Sequence, residues 1–318
     1  MQEVSVIIPN YNGMAYLEGV LSTLEQQTFQ NFETILVDNG SSDGSVAFVM
    51  GNYSWVHIIE LPDNYGFSRA VNEGIYAARA PYVLLLNNDT EVDKNFVGEM
   101  LASIKRHKKA FSCSARMIRY HERDKLDDAG NYYCALGWAF ARGKGKDIRT
   151  YEREERIFTS CAGAAIYRRR LFEKIGYFDE EHFAYLEDID VGYRARIEGY
   201  ENWYAPKALV YHIGSGTSGS RYNQFKTRYS SRNNIYLIYK NMPLLQIILN
   251  LPFLIPGFGL KILFFLQKGM GKEYIAGIKN GFQLCKKDRK VPFKIENLGH
   301  YGKIQLELWI NIFRRFFG

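Results

Sequence analysis

Within the first 86 residues, four short apolar runs alternate with three helical patterns. Residues 4–8 read as a buried strand closed by Pro9, and residues 33–37, 56–61 and 82–86 repeat the pattern. Short aliphatic runs bounded by turn residues are strands. Between the first two, Leu17, Val20, Leu21 and Leu24 recur near i, i+3, i+4, i+7, which predicts a helix over 14–27. Residues 45–50 open a second helix and 67–78 form a third. Parallel strands need a crossover, so this alternation demands βαβ units and a mainly parallel sheet. Ligands of such sheets collect beyond the carboxyl ends of the strands. Three of the four runs here end in polar clusters.

Further along, residues 119–158 are polar and carry Gly130, Gly137, Gly143 and Gly145, so long loops over the sheet are expected. A core element is expected at 161–167, then a dense acidic segment, then a hinge in the glycine- and serine-rich stretch 215–220. That hinge separates a body, 1–218, from a tail, 219–318. The body holds 24 Lys and Arg against 30 Asp and Glu, and the tail 17 against 4. A basic tail implies an anionic partner. Residues 241–260 carry no charge, and such aliphatic surface suits an anionic membrane surface and argues against nucleic acid. Gln246, Asn250, Pro252, Pro256 and two glycines interrupt this run, and Lys240, Lys261 and Lys268 flank it, which favours an in-plane or re-entrant helix over a span. Leu306, Trp309, Ile310 and Phe313 then share one helical face beside Arg314 and Arg315. The alternative is that these faces pack on the body or on a second copy. Four cysteines without metal spacing suit a reducing compartment. No basic flank precedes Val4, so no secretory signal is expected. With 47% hydrophobic and 24% charged residues, a disordered or collagen-like chain is excluded.

Each polar cluster has two readings. Asp38, with Ser41, Ser42 and Asp43, offers a carboxylate to a base N–H, or is an ordinary Asx turn. Asn87-Asn88-Asp89-Thr90 offers oxygen donors to a hard cation bridging a diphosphate, or is again a turn. Six acids crowd residues 178–190. Asp190, Arg194 and Glu198 at i, i+4 spacing suggest a solvated helix with ion pairs. Glu187 and Asp188, placed just before it, are free to face a ligand as a general base. His212 follows an apolar run at 208–211 and is either structural or a metal ligand.

Taken in order, V-I-I-P-N-Y-N (6–12), V-D-N-G-S-S-D-G (37–44), N-Y-G-F-S-R-A-V-N-E-G (64–74), N-N-D-T (87–90), F-A-Y-L-E-D-I-D (183–190) and Y-H (211–212) resemble family 2 glycosyltransferases of the GT-A fold. Within that family they resemble the rhamnosyltransferase-like branch that elongates polysaccharides, over roughly residues 3–240. The resemblance implies an α/β fold with a mixed, mainly parallel central sheet, to which the charge and apolar pattern of the tail adds a C-terminal helical membrane-associating region. It implies that Pro9, Tyr11 and Asn12 pack on the nucleotide, that Asp38 reads its base, and that Asn64, Gly66, Arg69 and Asn72 line the nucleotide-sugar site. Gly163 and Ala164 match a tight donor-side segment. The family's Asp-x-Asp stands here as Asn87-Asn88-Asp89. That leaves Asp89 as a direct ligand for Mg²⁺ or Mn²⁺, with Asn87 neutral or water-mediated and His212 as an added ligand. Asp188 matches the catalytic base of inverting members, with Glu187 as a supporting acid. The implied donor is a dTDP- or UDP-linked sugar, best dTDP-rhamnose, and the implied acceptor a lipid-linked saccharide. The implied place is the cytoplasmic face of the membrane, peripheral or monotopic, as a possible homo-oligomer.

Overall fold

A computed structural model describes residues 2–214 and 222–317, so the expected hinge at 215–220 lies outside the described residues. Strands β1 (Val4–Asn10), β2 (Phe32–Asn39), β3 (Val56–Leu61) and β4 (Tyr82–Leu86) alternate with helices α1 (Met14–Glu25), α2 (Ser45–Asn52) and α3 (Phe67–Ala77). These four strands pair in parallel in the order β3-β2-β1-β4. Val4, Val6 and Ile8 of β1 face the cluster containing α1, while Ile7 faces the cluster containing α3. Burial on both faces explains why the strand is apolar on both, apart from Ser5, whose buried hydroxyl donates to Glu33.

Chain direction changes next. After β5 (Thr90–Val92) and α4 (Phe96–Arg106) come β6 (Ala110–Arg119), β7 (Leu126–Asp128), β8 (Asn131–Cys134), β9 (Trp138–Ala141), β10 (Glu155–Ile157) and β11 (Ala164–Arg168). Helices α5 (Phe172–Ile175) and α6 (Glu187–Ile197) precede β12 (Glu201–His212). Strand β11 enters antiparallel between β4 and β6, and β12 lies parallel to β6, which makes a mixed ten-stranded sheet.

Residues 119–158 are therefore not long loops. They hold β7, the β8–β9 hairpin and β10, and they bury Leu126, Tyr132, Tyr133 and Phe158. Strands of three or four residues are too short for a two-residue period to register, and the glycines between them are turn residues.

The tail forms α7 (Gln224–Asn241), α8 (Leu244–Gln267), α9 (Gly271–Leu284) and α10 (Leu298–Phe317). Leu237, Met242, Leu254, Tyr301, Ile304 and Leu308 share one cluster with Tyr133, Phe158, Ile189 and Tyr193 of the body. This cover corrects the expectation of a solvated α6. Asp190 and Arg194 form a fully enclosed ion pair, while Glu198 turns to Lys294 and Lys174 instead. Glu187 and Asp188 open the helix rather than precede it.

Helix α8 is amphipathic in the reverse sense of a water-soluble helix. Gln246, Asn250, Leu254 and Gly257 face inward. Gln246 accepts from Tyr193 Oη at 2.8 Å, and Asn250 and Gln305 exchange amide bonds at 2.7 and 2.9 Å. A Cβ on Gly257 would lie 2.2 Å from the Leu136 carbonyl oxygen, so α8 touches the hairpin backbone directly. Leu244, Leu245, Ile248, Ile255 and Leu263 point outward and are more than half exposed. On α10, Tyr301, Ile304 and Leu308 pack inward, whereas Leu306, Ile310 and Phe313 are exposed.

Candidate active site

The carboxyl ends of β1, β2 and β4 meet in one hydrogen-bonded chain. Asn10 Nδ2 donates to Asp38 Oδ1 at 2.8 Å, and Asn88 Nδ2 donates to Asn10 Oδ1 at 2.8 Å. Asp38 Oδ2 accepts from the Ser41 N–H, and Ser41 Oγ accepts from the Asn12 N–H. Asn10, Asp38 and Asn88 are buried, while Asn12 is exposed and Pro9 and Tyr11 are half-buried at the rim. Asn10 and Asn39 are absent from the residues singled out by motif. Asn39 donates to Asn64 Oδ1 and to the Gly66 carbonyl and accepts from the Tyr65 N–H, which shapes the turn into α3. Gly66 has φ +87°, and a Cβ there would lie 2.6 Å from the Phe183 carbonyl oxygen. Further along α3, Arg69 pairs with Glu73 and Glu180, and Asn72 bonds the Phe178 backbone and Glu180. These two tie α3 to the acidic segment.

Asp89 and His212, expected together, are together: Asp89 Oδ1 lies 3.4 Å from His212 Nε2. Pairing of β5 with β12 brings Thr90 opposite His212 and so fixes the approach. On its far side, His212 Nδ1 lies 2.7 Å from Asp127 Oδ2, and Lys144 Nζ holds the other Asp127 oxygen at 2.8 Å. Burial opposes a charged imidazole, but the Asp127 and Asp89 carboxylates raise the His212 pKa to about 9. Asp127, also buried, is held well below the usual carboxylate range by His212 and Lys144. With both carboxylates beside it His212 is protonated on both nitrogens near neutral pH, so a cation at Nε2 would displace that proton, while Asp127 keeps the Nδ1 proton and so orients the ring toward Asp89. The donor set of Asp89, His212 and half-buried Asn87 therefore fits a hard or borderline divalent cation. Gly163 adjoins Asn87, accepting its N–H at 2.8 Å, and Ala164 follows on β11 beside Leu86.

Asp188 stands in the first turn of α6. Its Oδ2 accepts from Asn131 Nδ2 at 3.0 Å and its carbonyl accepts from Thr159. Burial pushes its pKa up, as it does that of neighbouring Glu187, whose pKa the Asp188 charge raises further. Glu187 Oε2 is enclosed without a hydrogen-bond partner, which suits the protonated form. Asp127 and Asn131 belong to one five-residue stretch, so a single segment orients His212 at one end and Asp188 at the other. Sequence reasoning missed both, although D-D-A-G-N is a conspicuous acidic turn.

The turn entering α6 is strained. Phe183, Tyr185 and Leu186 have φ of 58°, 74° and 68°, each costing on the order of 1–3 kcal/mol. The tail holds it in place. Asn233 of α7, fully buried, donates to the carbonyls of His182, Ala184 and Tyr185, and Arg232 donates to those of Glu181 and His182. Below it, Asp179, His182 and Asp190 place ligand atoms within 4.8 Å of one another. Lys240 Nζ already fills that space, 2.6 Å from Asp179 and 2.9 Å from Asp190, and Arg194 and Asn241 take the remaining Asp190 contacts. A second cation there would face the Lys240 and Arg194 charges, so the cluster serves as an internal ion-pair network.

Comparison with known proteins gives the fold and the family. The chain is 27% identical over 237 residues to the N-acetylglucosaminyl-diphospho-decaprenol L-rhamnosyltransferase of Mycobacterium tuberculosis, covering 67% of this chain and 77% of that protein. Among solved structures, it superposes on GalNAc-T7 with UDP, GalNAc and Mn²⁺ at TM-score 0.61 and 16% identity, over 75% of this chain and 48% of that one. It also superposes on residues 1–349 of S. aureus TarS with UDP-GlcNAc at TM-score 0.60 and 20% identity, over 90% of this chain and 82% of that one. The fold is GT-A. Residues 5–176 match the family model described as glycosyl transferase family 2, and the chain belongs to that family.

Proposed function

We propose that this glycosyltransferase is an inverting enzyme that moves L-rhamnose from dTDP-rhamnose to a polyprenyl-diphosphate-linked saccharide. The observation that carries the mechanism is the 127–131 segment. It couples the leaving-group side of the cleft, through Asp127 and His212, to the base side, through Asn131 and Asp188. Asp188, its pKa raised by burial, takes the proton of the acceptor hydroxyl as that oxygen attacks the anomeric carbon. The glycosidic bond to the diphosphate breaks on the opposite face, and one displacement inverts the centre. Mg²⁺ or Mn²⁺ held by Asp89 and His212, with Asn87 beside them, would neutralise the departing diphosphate. Glu187, kept protonated, leaves Asp188 as the single charge of the pair. Asp38, Asn10 and Asn88 form the floor on which the nucleotide lies.

Residues 1–218 act as the catalytic body in this reading and 219–318 as the membrane-associating region. By length and composition α8 is able to cross a bilayer. Its inner face is nevertheless bonded to Tyr193 and Trp138 of the body and to Gln305 of α10, which favours a helix lying in the surface of the cytoplasmic leaflet. The rhamnose and lipid-linked acceptor rest on the name of the mycobacterial relative. A second reading, a UDP-linked donor, is favoured by the UDP and UDP-GlcNAc of the solved neighbours.

A nucleotide-release assay with dTDP- and UDP-sugars, each cation and a short polyprenyl-diphosphate-N-acetylglucosamine acceptor decides between them. Acceptor-dependent turnover with dTDP-rhamnose alone is expected. Turnover only with a UDP-sugar discards the rhamnose donor and keeps the mechanism.

A further inference from the structure

A cavity of about 960 Å³ runs from the base side of the cleft to the underside of α8 and α10. Tyr185 and Leu186, next to Glu187 and Asp188, line one part of it, with Lys144 linking to Asp127 and His212. Lys261 of α8 and Arg315 of α10 line another, beside Trp138 and Phe264. Eight cationic side chains line the cavity against one carboxylate, Glu155. Arg119, Arg142, Lys144 and Arg314 have carboxylate partners, but Lys261, Arg315 and Lys146 have none among the described residues. Lys261 and Arg315 instead sit over the rings of Trp138 and Phe140, at 5.9 and 5.8 Å. Burial, with Arg315 nearby, pushes the Lys261 pKa down to about 8. Leu260 and Leu263, one residue before and two after Lys261, are more than half exposed and continue the apolar outer face of α8.

We infer that this cavity seats the diphosphate of a prenyl-diphosphate acceptor on Lys261 and Arg315, with its first isoprene units leaving along the outer face of α8. The inference rests on the acceptor class proposed above. It is the chemistry of the walls that selects it: aromatic and aliphatic side chains with unpaired cations fit an anionic head on an apolar chain better than a neutral sugar or a free anion. A donor diphosphate belongs instead at Asp89 and His212. The volume is that of an ordinary ligand cleft, with room for a saccharide reaching toward Asp188.

Calorimetric titration of the full chain in neutral detergent micelles, with EDTA present, tests it using farnesyl diphosphate, farnesol, inorganic pyrophosphate and a short-chain phosphatidylglycerol. Farnesyl diphosphate should bind at least about tenfold more tightly than the other three. Lys261→Met and Arg315→Gln should each weaken it about tenfold, a loss of one charge-assisted contact. Unchanged affinity in both variants overturns the inference, as does pyrophosphate or phosphatidylglycerol binding equal to that of farnesyl diphosphate. Nucleotide binding with Mn²⁺, measured on the same preparations, reports that each variant is folded. Its absence from the unaltered protein would sink the catalytic reading while leaving the farnesyl diphosphate result to stand by itself.

Discussion

The two sides of this cleft, which we propose hold the donor and the base, are built from different materials. On the donor side, Asn10, Asp38, Ser41 and Asn88 come from adjacent strand ends and hold one another with neutral donors around a single carboxylate, Asp38. On the base side, charges are gathered from residues 127 to 240. The contrast is sharpest on α6, where Asp188 and Asp190 stand two residues apart. Burial raises both, but Arg194 and Lys240 reverse the effect at Asp190 and hold it far below the usual range. One carboxylate is left poised to accept a proton, and its neighbour is locked as an anion that anchors the tail. A donor floor needs shape, which neutral amides supply cheaply in desolvation. A base needs an environment that only distant charges and burial create.

Replacing the poised carboxylate tests the contrast most severely. Asp188→Asn should lower kcat by roughly 10³ or more while leaving the nucleotide Kd within about twofold, read by single-turnover kinetics and calorimetry. Equal loss in both would make the residue structural. Lys240→Met attacks the locked carboxylate and should cost about 3 kcal/mol in urea denaturation, because Asp190 keeps Arg194 but loses an ammonium. Adding Asp190→Asn should recover part of that loss, and strict additivity would show that the two do not interact.

Between the two sides lies Asp127. Asp127→Asn should weaken activation by Mn²⁺ about 10- to 100-fold through a disordered His212, with no change in fold by circular dichroism. An unaltered Mn²⁺ titration would place the cation elsewhere. The smallest effect belongs to Glu187. A carboxyl whose folded pKa lies above its unfolded value (~4.3) binds its proton more tightly when folded, so stability falls as pH rises above that value. Glu187→Gln should therefore be the more stable protein at pH 9 by on the order of 1–2 kcal/mol, and equal to the parent at pH 4. Parallel stability curves would mean that Glu187 is ionised comfortably in the fold.

The βαβ half, with Asp38 and Asp89 at its strand ends, follows from the sequence because β1, β2 and β4 are buried on both faces and read as apolar runs, while edge strand β3, with His57 and Glu60 exposed, still carries four aliphatic residues. The pairing of Asp89 with His212 was likewise readable, but only through a motif spanning 123 positions. Asp127 and Asn131 were hidden in a stretch whose strands are shorter than the period that reveals strands. Asp190 and Arg194 showed an i, i+4 spacing in the sequence, yet spacing is the same for a solvated pair and an enclosed one. Gln246 and Asn250 read as interruptions of an apolar segment and are instead its inward seam.

The sequence by itself determined the parallel sheet, the motif residues and the basic, aliphatic tail, since local periodicity and composition set those. Only the tertiary structure decided that α7 caps the strained turn before Asp188, that Lys240 locks Asp190, and that the tail's cations line a cavity shared with Tyr185 and Leu186 of that turn. Those facts depend on burial and on contacts between residues far apart in the chain, and the energy of a charge is set by what surrounds it rather than by its neighbours in sequence.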